Sequence, residues 1–211
     1  MFRWLVIAGS IFFFLSVGAI YWAPKEVTLS VSQKILYFKL GCIVTTYFLV
    51  TLSFTLSIVS LWRNSENFNL LIRDSLQLAF IPCSLGIVMG ALWGKYAWNT
   101  FFSLEPRLLS FLVLWVLLFS GVMVRQDARA NQFFKTLSLV AFMMIPVVKL
   151  SIDFVPEKFR LHPQILEKGG MSDFTFQLPM YLSIIFVLLL FITILHLTFR
   201  VSRIKVRYFG G

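Results

Sequence analysis

Six stretches of mostly apolar residues divide this chain, at roughly 4–22, 36–61, 76–93, 107–125, 133–152 and 179–199. Each is near the length of about 20 residues that an α-helix needs to cross the hydrocarbon of a bilayer. The second is long enough to tilt or to extend past the hydrocarbon. Inside a bilayer every backbone N–H and C=O must be satisfied within its own segment, which favours helices for such runs. The 211 residues are 59% hydrophobic and 13% charged. One soluble core of this size cannot hide that much apolar surface. The expected fold is therefore all-α, a single polytopic membrane domain over residues 1–211 with six transmembrane helices. Arg3 precedes the first run, as in a signal peptide, but that run continues to Tyr21-Trp22 with no clear small-x-small cleavage site. It is expected to stay as an uncleaved span.

The formal net charge of +10 does not point to nucleic acid. The basic residues form no face or stripe, and they sit between the apolar runs, where membrane proteins keep Lys and Arg. An even number of spans puts both termini on one side. The tail cluster Arg200, Arg203, Lys205 and Arg207, with Arg125, Arg129 and Lys135, predicts that side to be the cytoplasm. Three segments then face outward. They run from Trp22 to about Lys34, through the stretch 93–110, and from about Ile152 to Leu178.

Several chemistries lack their residues. Cys42 and Cys83 lie far apart inside apolar runs, with no C-x-x-C for thioredoxin-like exchange and no C-x-x-C-H for covalent haem. No G-x-x-x-x-G-K-[ST] loop is present, so the chain is not the ATP-hydrolysing part of a pump. The span interiors hold almost no ionisable residues, which disfavours a charge-coupled transporter.

The second outward segment carries the densest chemistry: Trp93-Gly94-Lys95-Tyr96-Ala97-Trp98-Asn99-Thr100-Phe101-Phe102-Ser103-Leu104-Glu105-Pro106-Arg107. Interfacial anchoring explains aromatic residues such as Trp4, Tyr21, Trp22 and Trp62. For the loop it explains the rings but not their arrangement. Positions 98, 101 and 102, followed by 105, fall on one side of a helical turn. That predicts a flat apolar platform edged by a carboxylate and flanked by Lys95 and Arg107. Pro106 requires an extended residue before it and suits the first turn of the fourth span. A planar ligand with an apolar face and anionic edges matches this pattern. Ring faces pack on a macrocycle, and a guanidinium takes a carboxylate through two parallel hydrogen bonds. Haem is one such ligand, with lipid and quinone headgroups as rivals. Histidine is the usual axial ligand of haem iron. His162 in the third outward segment is the candidate here, with Met171 the other potential iron ligand nearby. His196, near the far end of the last span, reads as a packing residue.

The same stretch resembles the tryptophan-rich motif W-G-x-x-x-W-x-x-W-W-x-W-D-x-R-x-x-S of the haem-handling proteins of cytochrome c maturation. Trp93, Gly94, Trp98, Arg107 and Ser110 match it. Phe101, Phe102 and Leu104 stand where that family tends to have Trp, and Glu105 stands for Asp. Tyr21-Trp22-Ala23-Pro24, Lys34-Ile35-Leu36-Tyr37 and Leu161-His162-Pro163 resemble further family segments, and the similarity covers roughly residues 20 to 200. Length and span count are similar to the haem exporter C (CcmC) branch. The resemblance implies a bacterial inner-membrane protein that holds haem b as non-covalent, transient cargo at the outer membrane face. It also implies two kinds of partner, the subunits of an ATP-binding-cassette haem export complex and a periplasmic haem chaperone (CcmE-like) that receives the cargo. Membrane lipid surrounds the spans, and no nucleic acid is involved.

The resemblance also implies site residues: Trp93, Gly94, Trp98, Phe101, Phe102, Glu105, Arg107 and Lys39 around the haem, with His162 as axial iron ligand. The family places a second axial histidine where this chain has Lys39 in Tyr37-Phe38-Lys39-Leu40-Gly41. A lysine binds iron only as the neutral amine, so iron ligation, contact with a haem propionate and snorkelling to the interface stay open for Lys39. The expected role is binding and delivery rather than bond-making catalysis. Two other classes remain. A small-solute permease would show polar span centres or broken helices, for which Pro82 and Pro146 are the only hints. A structural subunit would use the aromatic loop as a docking surface.

Overall fold

The computed structural model describes residues 2–24, 32–63, 65–101, 105–124, 130–151, 153–154, 156 and 173–209. It is all-helical, with no strand among the described residues. The helices are α1 (Phe2–Trp22), α2 (Gln33–Trp62), α3 (Glu66–Trp98), α4 (Pro106–Met123), α5 (Ala130–Leu150) and α6 (Phe174–Phe209). All six are long and apolar enough to cross a membrane.

Their boundaries follow local chemistry. Ser65 is extended, and its hydroxyl accepts a hydrogen bond from the Phe68 N–H at 3.3 Å, starting α3. Asn99 ends α3 in the left-handed region at φ 57°. Glu105 is extended and Pro106 is the first helical residue of α4, as the sequence predicts. α3 and α6 are longer than the apolar runs inside them, with 33 and 36 residues. Hydropathy marks only what lies in hydrocarbon, whereas a helix continues as long as its backbone bonds do.

α2 is the centre of the bundle, packing on α3, α5 and α6, while α4 packs on α3 and α5. Leu49, Leu76, Leu114, Leu118 and Val187 are fully buried between them. Gly41 lets α2 approach α6 closely, since a Cβ there would sit 3.1 Å from the Ser183 carbonyl oxygen. Side chains tie helix to helix within this apolar interior. Ser57 Oγ lies 2.7 Å from Ser138 Oγ, joining α2 and α5. Ser53 donates to the Ile72 carbonyl, Trp115 Nε1 donates to Ser84 Oγ at 2.8 Å, and Gln77 donates to the Gly121 carbonyl.

α1 stands at the edge, packed on α6. Most of its apolar surface is exposed, as are Trp4, Tyr21, Trp22 and Trp62, the residues expected at the interfaces. Phe2 stacks on His196 with ring centroids 6.3 Å apart. His196 is thus a packing residue, and the start of α1 lies beside α6 at that position. At the other end of α1, Gln33 Nε2 donates to the Pro24 carbonyl and lies 3.5 Å from the Tyr37 hydroxyl. Two short segments noted in the sequence, at 21–24 and 34–37, therefore meet around buried Tyr37, with Ala23, Leu36 and Met180 beside it.

Candidate functional site

A cavity of ≈ 400 Å³ opens where the end of α3, the starts of α2 and α4 and the end of α5 come together. Leu40, Ile43, Ile87, Phe111, Leu112 and Val148 make its walls apolar, and Tyr47 adds a phenol. Its floor is the smooth side of α3 at Gly86 and Gly90. A Cβ at Gly90 would lie 3.5 Å from Lys39 Cε, so the missing side chain leaves room for the lysine and for whatever rests beside it.

Three cations border this apolar space: Lys39, Arg107 and Lys149. Lys39 is the unusual one, since a lysine is seldom buried unless its charge is met. Only 6% of it is exposed, and its Nζ lies 4.7 Å from the centroid of the Trp93 ring. Glu105 and Arg107 lie close enough for their charges to act on it. Trp93 is 2% exposed and stands behind the lysine, outside the cavity lining. Gly94, one residue on, is buried.

The stretch after Trp93 differs from the platform expected of it. Because Asn99 turns left-handed, positions 98, 101 and 105 do not share one helical face. Lys95 is used locally. It donates to Asn99 Oδ1 at 2.8 Å, sits 5.4 Å from the Phe101 ring centroid and so closes the C-terminal end of α3. Lys95 is not part of the cavity lining, whereas Phe101 and Arg107 are. Glu105 is 6% exposed, and its backbone carbonyl accepts the first hydrogen bonds of α4 from Leu108 and Leu109. Ser110 bonds back to Pro106 and Arg107 and contacts Ser151 Oγ at 3.4 Å, tying α4 to the end of α5. Its place in the motif is thus structural.

The structure gathers Lys39, Phe101 and Arg107 at one cavity, with Trp93 behind the lysine and Glu105 near enough for its charge to act on it. The Trp98 side chain, Phe102, His162 and Met171 lie outside the described residues. Sequence reasoning missed Lys149, Tyr47, Gly86 and Gly90. The repeat Gly86-x-x-x-Gly90-x-x-x-Gly94 signals a smooth helix face, and Lys149 ends an apolar run on the same side as Arg107.

An apolar slot bordered by separated cations suits an amphiphile with a broad hydrophobic body and more than one anionic group. The volume lies within the usual range for small-molecule sites, about 300–1,000 Å³. Haem, with its flat macrocycle and two propionates, is compatible with these walls and this charge pattern.

Comparison with known proteins gives the family. The family model described as Heme exporter protein C matches residues 1–208. The chain is 33% identical over 119 residues to Heme exporter protein C of Bradyrhizobium diazoefficiens, covering 54% of this chain and 44% of that protein. It thus spans under half the length of that relative. Over 183 residues it is 21% identical to Heme exporter protein C of Paracoccus denitrificans, covering 84% of this chain and 76% of that one. With its six apolar helices, this makes it a multi-pass protein of the bacterial inner membrane, and the chain belongs to the heme exporter protein C family.

Proposed function

We propose that this protein binds haem reversibly in the cavity between α2, α3, α4 and α5 and presents it for delivery in cytochrome c maturation. The observation that carries this reading is the pairing of an apolar slot with Lys39, Arg107 and Lys149 at its border. Arg107 would take one propionate through its forked guanidinium. Lys149, exposed at the end of α5, would meet the other, while Lys39 supplies positive charge from the buried side. Phe101 and Phe111 offer ring surface to the macrocycle. His162 is the protein's axial ligand in this reading, since histidine is the usual one.

The basic tail and the 125–135 loop support placing both termini in the cytoplasm, which puts the cavity at the outer face. Delivery would then pass to a periplasmic haem chaperone, with export-complex subunits as neighbours. Apolar contacts plus a few edge charges favour the moderate affinity that a carrier needs in order to release its cargo. A permease reading is disfavoured because the six helices are continuous, with α3 and α5 running through Pro82 and Pro146. The deciding experiment is visible absorption of the purified protein after haem addition. A Soret band that weakens in Arg107→Ala supports the proposal. A chain that takes up no haem, or holds it equally well without Arg107, Lys149 and His162, contradicts it.

A further inference from the structure

At the end of the bundle away from the cavity, α6 outruns the hydrocarbon. Its apolar run ends near residue 199, and 21 residues from 179 already span about 31 Å at 1.5 Å per residue, the thickness of the hydrocarbon. Arg200, Arg203 and Arg207 follow at i, i+3 and i+7, on one side of the helix. They line a cleft of ≈ 750 Å³ between α6 and the first turns of α3, facing Glu66, Asn67 and Leu70. The cleft is braced. Arg73 of α3 pairs with Asp74 at 3.0 Å and donates to Ser202 of α6 at 3.0 Å, holding the two overhangs together. Arg73 is committed to that brace, whereas Arg200 and Arg207 are exposed and Arg203 lies over the Phe199 ring at 5.7 Å.

The apolar residues around these arginines identify the ligand class. Ile204 and Val206 line the same cleft, Tyr208 closes it, and Val201 and Ile204 are exposed beside the arginines. A soluble anion has no use for that apolar border, and an acidic peptide would have to displace lipid to reach it. We propose that this cleft binds the phosphodiester headgroup of an anionic phospholipid, with the glycerol backbone beside Val201 and Ile204 and the acyl chains running back into the hydrocarbon along the apolar part of α6. Three arginines against Glu66 leave the cleft positive, and basic pockets between helices at this depth suit lipid phosphates. The site fixes the end of α6 against α3 and does not depend on the haem reading.

Native mass spectrometry of the delipidated full-length protein, with phosphatidylglycerol or phosphatidylcholine added back, tests this. The wild type should retain phosphatidylglycerol in preference to phosphatidylcholine. Arg200→Gln, Arg203→Gln and Arg207→Gln should each weaken phosphatidylglycerol binding about fivefold, from about 1 kcal/mol per basic residue. Lys205→Gln, on α6 but outside the cleft lining, should leave it unchanged. Each single variant should keep the thermal unfolding transition of the wild type, so that lost lipid binding reports the cleft and not unfolding. Single variants that bind as the wild type does would overturn the proposal, as would equal losses from Lys205→Gln. Displacement of the lipid by inorganic phosphate would make the cleft a free-anion site, and displacement by polyglutamate would make it a protein-docking site; either result also overturns it.

Discussion

The ammonium of Lys39 lies over the indole of Trp93, 4.7 Å from the ring centroid, with both side chains shielded from solvent. The two residues are 54 positions apart in sequence and sit on neighbouring helices, α2 and α3. A cation against an indole face is worth about 2 kcal/mol when desolvated. That attraction, with Glu105 close enough for its charge to act, offsets part of what burial and the like charge of Arg107 cost. The indole therefore holds the lysine in place beside the cavity, and the lysine keeps the cavity positive on its buried side.

The edge charges should differ in weight. Arg107 is half-buried and has the fork that fits a carboxylate. Arg107→Ala should weaken haem retention about tenfold or more, from the 1.5–3 kcal/mol typical of hydrogen bonds to charged groups. Arg107→Lys should recover part of this. Lys149 is exposed, so Lys149→Ala should cost only about twofold to fivefold. Haem titration followed at the Soret band measures all three. Equal falls in membrane level and haem content for Arg107→Ala would mark that residue as structural instead.

The glycine floor gives a steric test. A Cβ at Gly90 meets Lys39 Cε at 3.5 Å, an ordinary contact, so Gly90→Ala should be tolerated. Gly90→Leu places three further carbons into the cavity and should abolish haem uptake while the protein still inserts and unfolds cooperatively. Normal haem binding by Gly90→Leu would place the ligand elsewhere.

The brace at the opposite end should affect stability and leave the cavity alone. Asp74 is 2% exposed and Arg73 13%. Removing only Arg73 leaves a carboxylate buried without its ion pair, which typically costs about 3–5 kcal/mol. Arg73→Ala should lower the thermal unfolding midpoint, and adding Asp74→Asn should restore much of it. The Soret position should not move in either variant. No loss of stability in Arg73→Ala would show that water already reaches Asp74.

Topology is directly measurable. Reporter fusions at Gly211 should report the cytoplasm, and fusions near Gly170 the periplasm. The motive is the Arg200–Arg207 cluster together with an even number of spans. A periplasmic signal from Gly211 would invert the bundle and put the cavity on the cytoplasmic side.

The spans were readable because membrane crossing depends on length and hydropathy, which need no knowledge of neighbouring helices. The start of α4 was readable for a similar reason, since Pro106 restricts Glu105 by local sterics. The end of α3 was not. Asn99 carries weaker left-handed signals than glycine, so the stretch 98–105 read as a helical face when the helix stops at its first residue. Lys149 looked like any basic residue ending a span; only the packing of α5 beside α2 and α4 makes it a cavity residue. Lys39 was found through a motif, but its indole partner was not predicted, because pairing across helices is a tertiary fact.

The last prediction concerns iron. Lys39 stands where the resembling family has an axial histidine, and an ammonium has no lone pair to give. A position 4.7 Å over the Trp93 ring favours the positive form, since a neutral amine gains little from a ring quadrupole. Lys39 should therefore act as a counter-charge and not as an iron ligand. His162→Ala should remove the specific Soret feature of the complex, while Lys39→Met should leave its wavelength nearly unchanged and weaken retention by a few-fold. Lys39→His provides the complement. A histidine at 39 replaces the cation with a ring nitrogen beside the same cavity, so the spectrum should move toward a low-spin, two-histidine form. Retention should tighten, and transfer to an acceptor should slow, because a second strong ligand must dissociate before release. A spectrum that ignores His162→Ala but shifts in Lys39→Met would reverse the assignment, making the lysine a neutral iron ligand and its position over Trp93 a state of the haem-free protein.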